Sequence, residues 1–273
     1  MKIPGKASFE RCYDLRVNRR QALTSSAALA ASAAAQSPAR NRALIELRFF
    51  YLRNTAENQT KRVTDLLQGT YIPAAKRAGV KTIGVFAATV APKSPFLMMA
   101  MNYDSLAALD KISAAVEGDP AYQKGAAKFG ELAGLNYIRM ERQLLRAFET
   151  VPDIEVPKPN ATPRVFELRT YESNTRTSLK KKIGMFDNGE IAIFRKTGLL
   201  PIFFGDMMFG PNMPNLTYLL GYDSLAAREK NWAEFVAHPD WTKLKGTPGL
   251  SDAEVVANIS NCFLRPLPFS DIR

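Results

Sequence analysis

Apolar and polar residues alternate through "ALIELRFFYL", residues 43–52, and the run is rich in aromatic and branched side chains, a pattern that predicts a strand. Over residues 58–78, Val63, Leu66, Leu67, Tyr71 and Ala75 recur near the helical period, and Gly79 suits the residue after a helix end. Two apolar runs follow, "KTIGVFAAT" and "FLMMAMNY", joined by "VAPKSP", whose prolines block ladder pairing inside the connection and so predict a strand pair. "YDSLAA" at 103–108 then reads as a strand-to-helix joint: Tyr103 ends the strand, Asp104 is the expected N-cap, and Leu-Ala-Ala favours helix. Asp119-Pro120 looks like a second helix start with proline at N1, and a closing strand is expected at about 136–147.

The whole series is then written again. "YDSLAA" recurs at 222–227, and the same offset of 119 pairs Gly79 with Gly198, Pro92 with Pro211, Pro95 with Pro214 and Pro120 with Pro239. With a shift of two more residues, Glu46-Leu47-Arg48 aligns with Glu167-Leu168-Arg169. This is an internal duplication. In the second copy Leu179, Ile183, Phe186 and Phe194 precede Gly198. The strand pair is "LLPIFFGDMM" and "LTYLLGY", His238-Pro239 repeats the second helix start, and Ser251 with Glu254 announces a capping box before a closing strand at about 255–265. Asp223 is the expected cap of the helix after Tyr222.

The element order is β-α-β-β-α-β, twice. The fold class expected is α+β: two tandem ferredoxin-like (βαββαβ) modules packed as a pseudo-dimeric α+β barrel, because each sheet has one face without helices that the other copy can cover. Module 1 spans 43–149 and module 2 spans 165–267; between them, 150–164 contains Pro152, Pro157, Pro159 and Pro163 and reads as an extended linker.

Ahead of the modules, "NRRQALTSSAALAASAAAQ" joins Arg19 and Arg20 to a short alanine-rich run ending in small residues. Residues 1–36 therefore read as a signal peptide resembling leaders of the twin-arginine (Tat) route, and the protein is expected to be periplasmic or otherwise exported. The run is too short for a stable membrane span. Residues 1–35 hold six basic and two acidic residues, so removing them lowers the formal charge from +11 to +7. What remains is spread along the chain, with one short run, Lys180 to Lys182, read as a solvated helix face; no nucleic-acid partner is expected. Cys12 would leave with the leader, and Cys262, in an apolar stretch, reads as a small buried hydrophobe.

Candidate chemistry is sparse. Alternation puts Glu167, Arg169 and Tyr171 on one strand face and Phe166, Leu168 and Thr170 on the other. With the apolar set beneath the helices, the polar set would point into the space between the modules, joined there by Glu46 and Arg48. Arginine donors with a glutamate partner or base and a tyrosine donor suit a ligand-binding or catalytic site; the same residues also suit a structural ion-pair network. His238 is the only histidine, which excludes multi-histidine metal sites. It reads as a helix cap, with haem ligation the alternative if haem is present. Met207, Met208 and Met213 with Phe203, Phe204 and Phe209 form either the mouth of an apolar pocket or packing against the other copy, while Trp232, Phe235 and Val236 are expected in the core. The sequence has no GxGxxG after a strand, no GK[ST], no HExxH and no CxxC, so it points to no metal and no cofactor.

"FELRTY" at 166–171 followed by "YDSLAAREKNWAEFVAHPDW" resembles the NIPSNAP family within the dimeric α+β barrel superfamily. Module 1 departs from the pattern: Ser113 and Tyr122 stand where Trp232 and Trp241 stand, and Phe50 replaces Tyr171. The resemblance implies the barrel fold, and a superfamily of monooxygenases, isomerases, haem enzymes and simple binders. The expected function is an exported NIPSNAP-type protein binding a small hydrophobic or carbonyl-bearing molecule between its modules. One alternative is a cofactor-independent monooxygenase or isomerase in which Arg169 steadies an enolate and Glu167 or Tyr171 moves the proton. Another is a protein-interaction module without a pocket; homo-oligomerisation is compatible with each.

Overall fold

The computed structural model describes residues 41–273. The expected signal peptide lies outside the described residues. Eight antiparallel strands form a closed barrel in the order β1-β3-β2-β8-β5-β7-β6-β4. They are β1 (Leu44–Tyr51), β2 (Ile83–Val90), β3 (Phe96–Tyr103), β4 (Arg139–Ala147), β5 (Val165–Glu172), β6 (Leu200–Phe209), β7 (Asn215–Tyr222) and β8 (Asn258–Pro266). Each half contributes a run in which the first strand pairs with the third and the last (β1 with β3 and β4, β5 with β7 and β8). The halves join at two seams, β2 with β8 and β4 with β6, and each seam carries one register shift. Closure leaves no sheet edge for further strand addition.

Helices cover the outside. In the first half α1 (Gln59–Leu66) runs through a π-turn, Leu67–Tyr71, into α2 (Ile72–Arg77), and α3 (Leu106–Glu117) and α4 (Pro120–Gly130) follow β3. The second half repeats this with α5 (Arg176–Met185), a π-turn at Phe186–Glu190, α6 (Ile191–Lys196), α7 (Leu225–Ala237) and α8 (Pro239–Lys245), and adds a short α9 (Asp252–Val255). Gly79 and Gly198 have φ of 107° and 76°, the left-handed conformation that glycine adopts without steric cost at a helix end. The caps correct one expectation. Ser105 and Ser224, not Asp104 and Asp223, accept the backbone N–H of Ala108 and Ala227, because each helix begins one residue later. The two aspartates instead meet Lys81 and Arg164. Asp119 and His238 cap α4 and α8 as expected, His238 through Nδ1 at 3.2 Å from the Asp240 N–H. Among the described residues no helix is long and apolar enough to cross a membrane.

The core has three parts. Ile45, Leu47 and Phe49 from β1 meet Phe166 and Leu168 from β5, Phe203, Leu219 and Leu264 inside the barrel, so the lumen is apolar and shared by both halves. Ile272, from the C-terminal tail, is also in this cluster and approaches Gly84 so closely that a Cβ there would lie 2.7 Å from its Cδ1. Outside the barrel, one cluster packs the first-half helices on the sheet and another packs the second-half helices. Val236 does not join them; it is 54% exposed, while Phe235 is buried.

Candidate functional site

Strands β1 and β5 each turn their glutamate and arginine to the helix layer, and Ile45, Leu47, Phe49, Phe166 and Leu168 to the lumen. This reverses the orientation expected from sequence: Glu46 and Arg48 do not meet Glu167 and Arg169 between the halves. The physical reason is that both faces of these strands are buried, one by the opposite sheet and one by helices. The lumen offers a buried charge few polar partners, whereas the helix side supplies tyrosine and arginine side chains. Two related sites result, one under each helix layer.

In the second half, Glu167 is fully buried and accepts five hydrogen bonds: Arg169 Nη1 at 2.6 Å, Asn261 Nδ2 at 2.6 Å, Arg228 Nη2 and Nε at 3.1 Å each, and Tyr222 Oη at 3.0 Å. Burial pushes its carboxyl up, but the Arg228 hydrogen bonds and the Arg169 charge outweigh this and bring it down to about 2. Arg169 is equally occupied. Its Nε donates to Tyr218 Oη at 2.9 Å and its Nη2 to Tyr171 Oη at 3.2 Å, while the guanidinium lies 4.7 Å from the centre of the Trp232 ring. Each Arg169 nitrogen thus has a partner in the chain, and Tyr171 and Tyr218 bond to each other at 3.0 Å. Beside this network Lys182 is buried against Glu190 at 3.1 Å and lies 5.3 Å from the Trp241 ring centre, so the expectation of a solvated Lys180 to Lys182 face fails at Lys182. Burial raises Glu190 to about 7 despite the opposing charge of Lys182.

The first half keeps the anchor and loses the filling. Glu46 accepts from Arg48 Nε and Nη2 at 3.0 and 2.9 Å, Arg142 Nε at 2.6 Å and Tyr103 Oη at 3.0 Å. The repeated hexapeptide therefore supplies more than a joint: its tyrosine, Tyr103 or Tyr222, holds the buried glutamate of its own half. Burial pushes Glu46 up, and Arg48 and Arg142 pull it below the usual carboxylate range. Where the second half has Tyr218, Trp232 and Phe235, the first has Met99, Ser113 and Val116. Beside Ser113 and Val116 lies a cavity of about 280 Å³ with Arg48 and Arg142 in its wall, lined also by Phe50, Tyr71, Tyr122, Phe129 and Tyr137. Arg48 lies 4.8 Å from the Tyr71 ring centre with the Tyr71 hydroxyl beside it, and its well-formed hydrogen bonds to described residues run through Nε and Nη2 to Glu46, none of them through Nη1.

Such a chamber can hold a flat ring against its aromatic walls and present a cation to an oxygen on that ring. Arg142, Tyr71 and Tyr137 carry no motif. The offset of 119 pairs Arg142 with Asn261, and only the shared bond to the glutamate shows why. Among the described residues no group of histidine, cysteine, aspartate and glutamate could hold a metal ion.

Residues 166–271 match the NIPSNAP family model. The second half of the chain is a NIPSNAP domain. No curated protein matches the chain. Among solved structures, a candidate monooxygenase from Lactobacillus acidophilus NCFM is similar at 10% identity and a TM-score of 0.53, over 82% of this chain and 94% of that one. A second, from Fusobacterium nucleatum, is similar at 9% identity and a TM-score of 0.55, over 84% and 94%. A NIPSNAP-like domain protein from Burkholderia xenovorans matches at 22% identity over 39% of this chain and 88% of that one, with a TM-score of 0.35. At such identities the first two similarities establish the fold, an α+β barrel. In this protein the NIPSNAP domain is the half whose site is filled by its own side chains, and the open cavity belongs to the other half.

One consequence is a pH dependence of stability. The Glu167 carboxyl drops from its ordinary 4.5 to about 2 on folding, so its contribution is fully present above pH 4.5 and is lost as pH falls toward 2. The loss should be about 3 kcal/mol across that window. Urea midpoints measured between pH 6 and 2 should fall accordingly, and Glu167→Gln, which lowers the plateau, should flatten this limb. A limb unchanged in Glu167→Gln would exclude Glu167 as its source.

Proposed function

We propose that the protein binds a small aromatic molecule bearing a carbonyl or carboxylate oxygen in the first-half cavity, with that oxygen on Arg48 Nη1. The observation that carries this reading is the asymmetry between the halves: all three Arg169 nitrogens are bonded, to Glu167, Tyr171 and Tyr218, and Trp232 covers the guanidinium, while Arg48 bonds to Glu46 through Nε and Nη2 and borders an aromatic-walled space. Glu46, held ionised by Arg48 and Arg142, serves to fix the guanidinium rather than to take a proton. We take the two halves as tandem ferredoxin-like modules that imitate a dimer, 43–149 and 165–267 around the linker 150–164, the first specialised for a ligand and the second for stability. Export through residues 1–36 belongs to the same reading.

A second reading is supported by the candidate monooxygenases that share the fold. In it the bound molecule is an enolisable or phenolic ring that gives its proton to solvent water, and Arg48 lowers the cost of the resulting negative oxygen, whose ring then reacts with dioxygen. The tyrosines beside Arg48 stay protonated, since burial raises Tyr71 and Tyr103, and so act as donors or walls.

Ser113→Trp tests the binding site directly, because it restores the ring that covers the arginine in the other half. Titration with 2-naphthoate should show binding to the native protein and a loss of at least about tenfold in affinity in the variant, with unfolding stability unchanged or raised. Equal affinity in both proteins would remove the cavity as the site.

A further inference from the structure

The barrel has a second cavity, at the end of the lumen away from Ile272, and both halves build it. It measures about 310 Å³, at the lower end of the range typical of small-molecule sites. Phe49, Tyr51 and Phe96 form one wall, with Phe96 edge-on to the other two at 5.6 and 5.8 Å between ring centres. Leu168, Met207 and Cys262 from the second half form the opposite wall. None of the residues of the buried arginine networks closes it except Asn261, whose side chain turns outward to Glu167.

Two charged side chains, Glu141 and Lys93, line this site. Glu141 is paired with Arg139 at 2.7 Å, and Lys93, at the rim, lies 5.9 Å from the Tyr51 ring centre. Burial pushes the Cys262 thiol up to about 12, so that wall carries no charge at neutral pH. Of the uncharged polar side chains in the wall, Thr170 and Asn261 are bonded to Thr217 and Glu167, and Asn212 and Ser260 are exposed to solvent. Gln143, opposite Leu47 in the β1–β4 register and so turned to the lumen, is half-buried in the cavity wall, and its amide makes no hydrogen bond to another described residue.

The mouth is framed by two connections, 91–95 and 210–214, one from each half. Lys93 and Asn212 occupy the same place in the two copies, with φ of 59° and 57°. Val90 and Phe209, at the starts of the connections, and Met213, within the second, are exposed at 66%, 63% and 46%. An apolar collar around an aromatic chamber whose one half-buried, unbonded amide is that of Gln143 suits an uncharged, ring-bearing ligand with a single hydrogen-bonding group.

We propose that this mouth cavity is a binding site for a neutral aromatic small molecule with one acceptor oxygen, held between the Phe49–Tyr51–Phe96 wall and the Leu168–Met207 wall and hydrogen-bonded by Gln143. It is separate from the arginine cavity and does not depend on the function proposed there.

Benzophenone, a neutral diaryl ketone that cross-links to nearby C–H bonds under near-ultraviolet light, is the probe. The full chain is irradiated with increasing benzophenone, and adducts are located by peptide mass spectrometry. Saturable labelling of Met207 or Leu168 is expected. It should persist in Ser113→Trp and fall by about tenfold or more in Gln143→Trp, which fills the mouth. Circular dichroism and a urea midpoint check that Gln143→Trp is folded; if it is not, excess unlabelled benzhydrol must suppress the Met207 adduct in the native protein. Adducts confined to Tyr122, Phe129 or Tyr137 and abolished by Ser113→Trp would overturn the mouth site while supporting the arginine cavity. Labelling of neither cavity, or labelling at Met207 that does not saturate, would also overturn it.

Discussion

Arg169→Ala is expected to lower the unfolding free energy by about 3–5 kcal/mol while leaving 2-naphthoate binding intact. The substitution strips the fully buried Glu167 of its 2.6 Å partner and leaves the Tyr218 hydroxyl without its donor, while Tyr171 Oη keeps only the bond donated by Tyr218. It also opens a space beside Trp232. Arg228 and Asn261 still bond to the carboxylate, which places the expectation in the ordinary range for a broken buried pair rather than above it. Arg48→Ala should behave differently. Arg142 and Tyr103 continue to hold Glu46, and the principal loss is affinity for 2-naphthoate, by about tenfold to a hundredfold from one charged hydrogen bond. Urea denaturation paired with fluorescence titration separates the two arginines. A stability loss below about 1 kcal/mol for Arg169→Ala, or loss of binding in that variant, would contradict the division of labour between the halves.

Phe235→Ala is expected to cost about 3–5 kcal/mol. Its ring centre is 4.7 Å from Phe194, 4.7 Å from Trp241 and 5.5 Å from Trp232, so truncation removes the middle of an aromatic stack that α8 cannot refill. Val236, one residue on, is the internal control: exposed to solvent, its replacement by alanine should change stability by less than about 0.5 kcal/mol. Urea midpoints at constant slope would measure both. A loss under about 0.5 kcal/mol for Phe235→Ala would show that the stack is not what holds α7 and α8 to the sheet. The equivalent first-half change, Val116→Ala, lies on the wall of an existing cavity. It should cost less, because fewer packed atoms face the deleted methyls.

The strands, helices and caps were legible because they rest on short-range patterns. Proline at N1 after Asp119 and His238, and glycine after α2 and α6, are local stereochemistry, and the structure shows them where the sequence placed them. Even the two caps that moved, from aspartate to the following serine, moved by one residue. Lys182 was misread for a different reason. Its neighbours Lys180 and Lys181 are exposed, and the pair that keeps Lys182 inside, Glu190 with Asp252, comes from a π-turn and from a helix 70 residues away in sequence. Nothing within a helical turn announces it.

The duplication, the order of elements and the identity of the two glutamate–arginine anchors are properties of the sequence itself, since they follow from repeated residues at a fixed offset. Tertiary structure alone decided which way those anchors face. A strand buried on both sides has no solvent side to break the tie, so alternation separates Glu167 from Leu168 without saying which looks into the barrel. It also decided which half is open. The exchange of Trp232 for Ser113 is visible in the sequence, but a smaller side chain becomes a cavity only where the seated helix cannot close over it, and the first-half helices leave that volume beside Arg48.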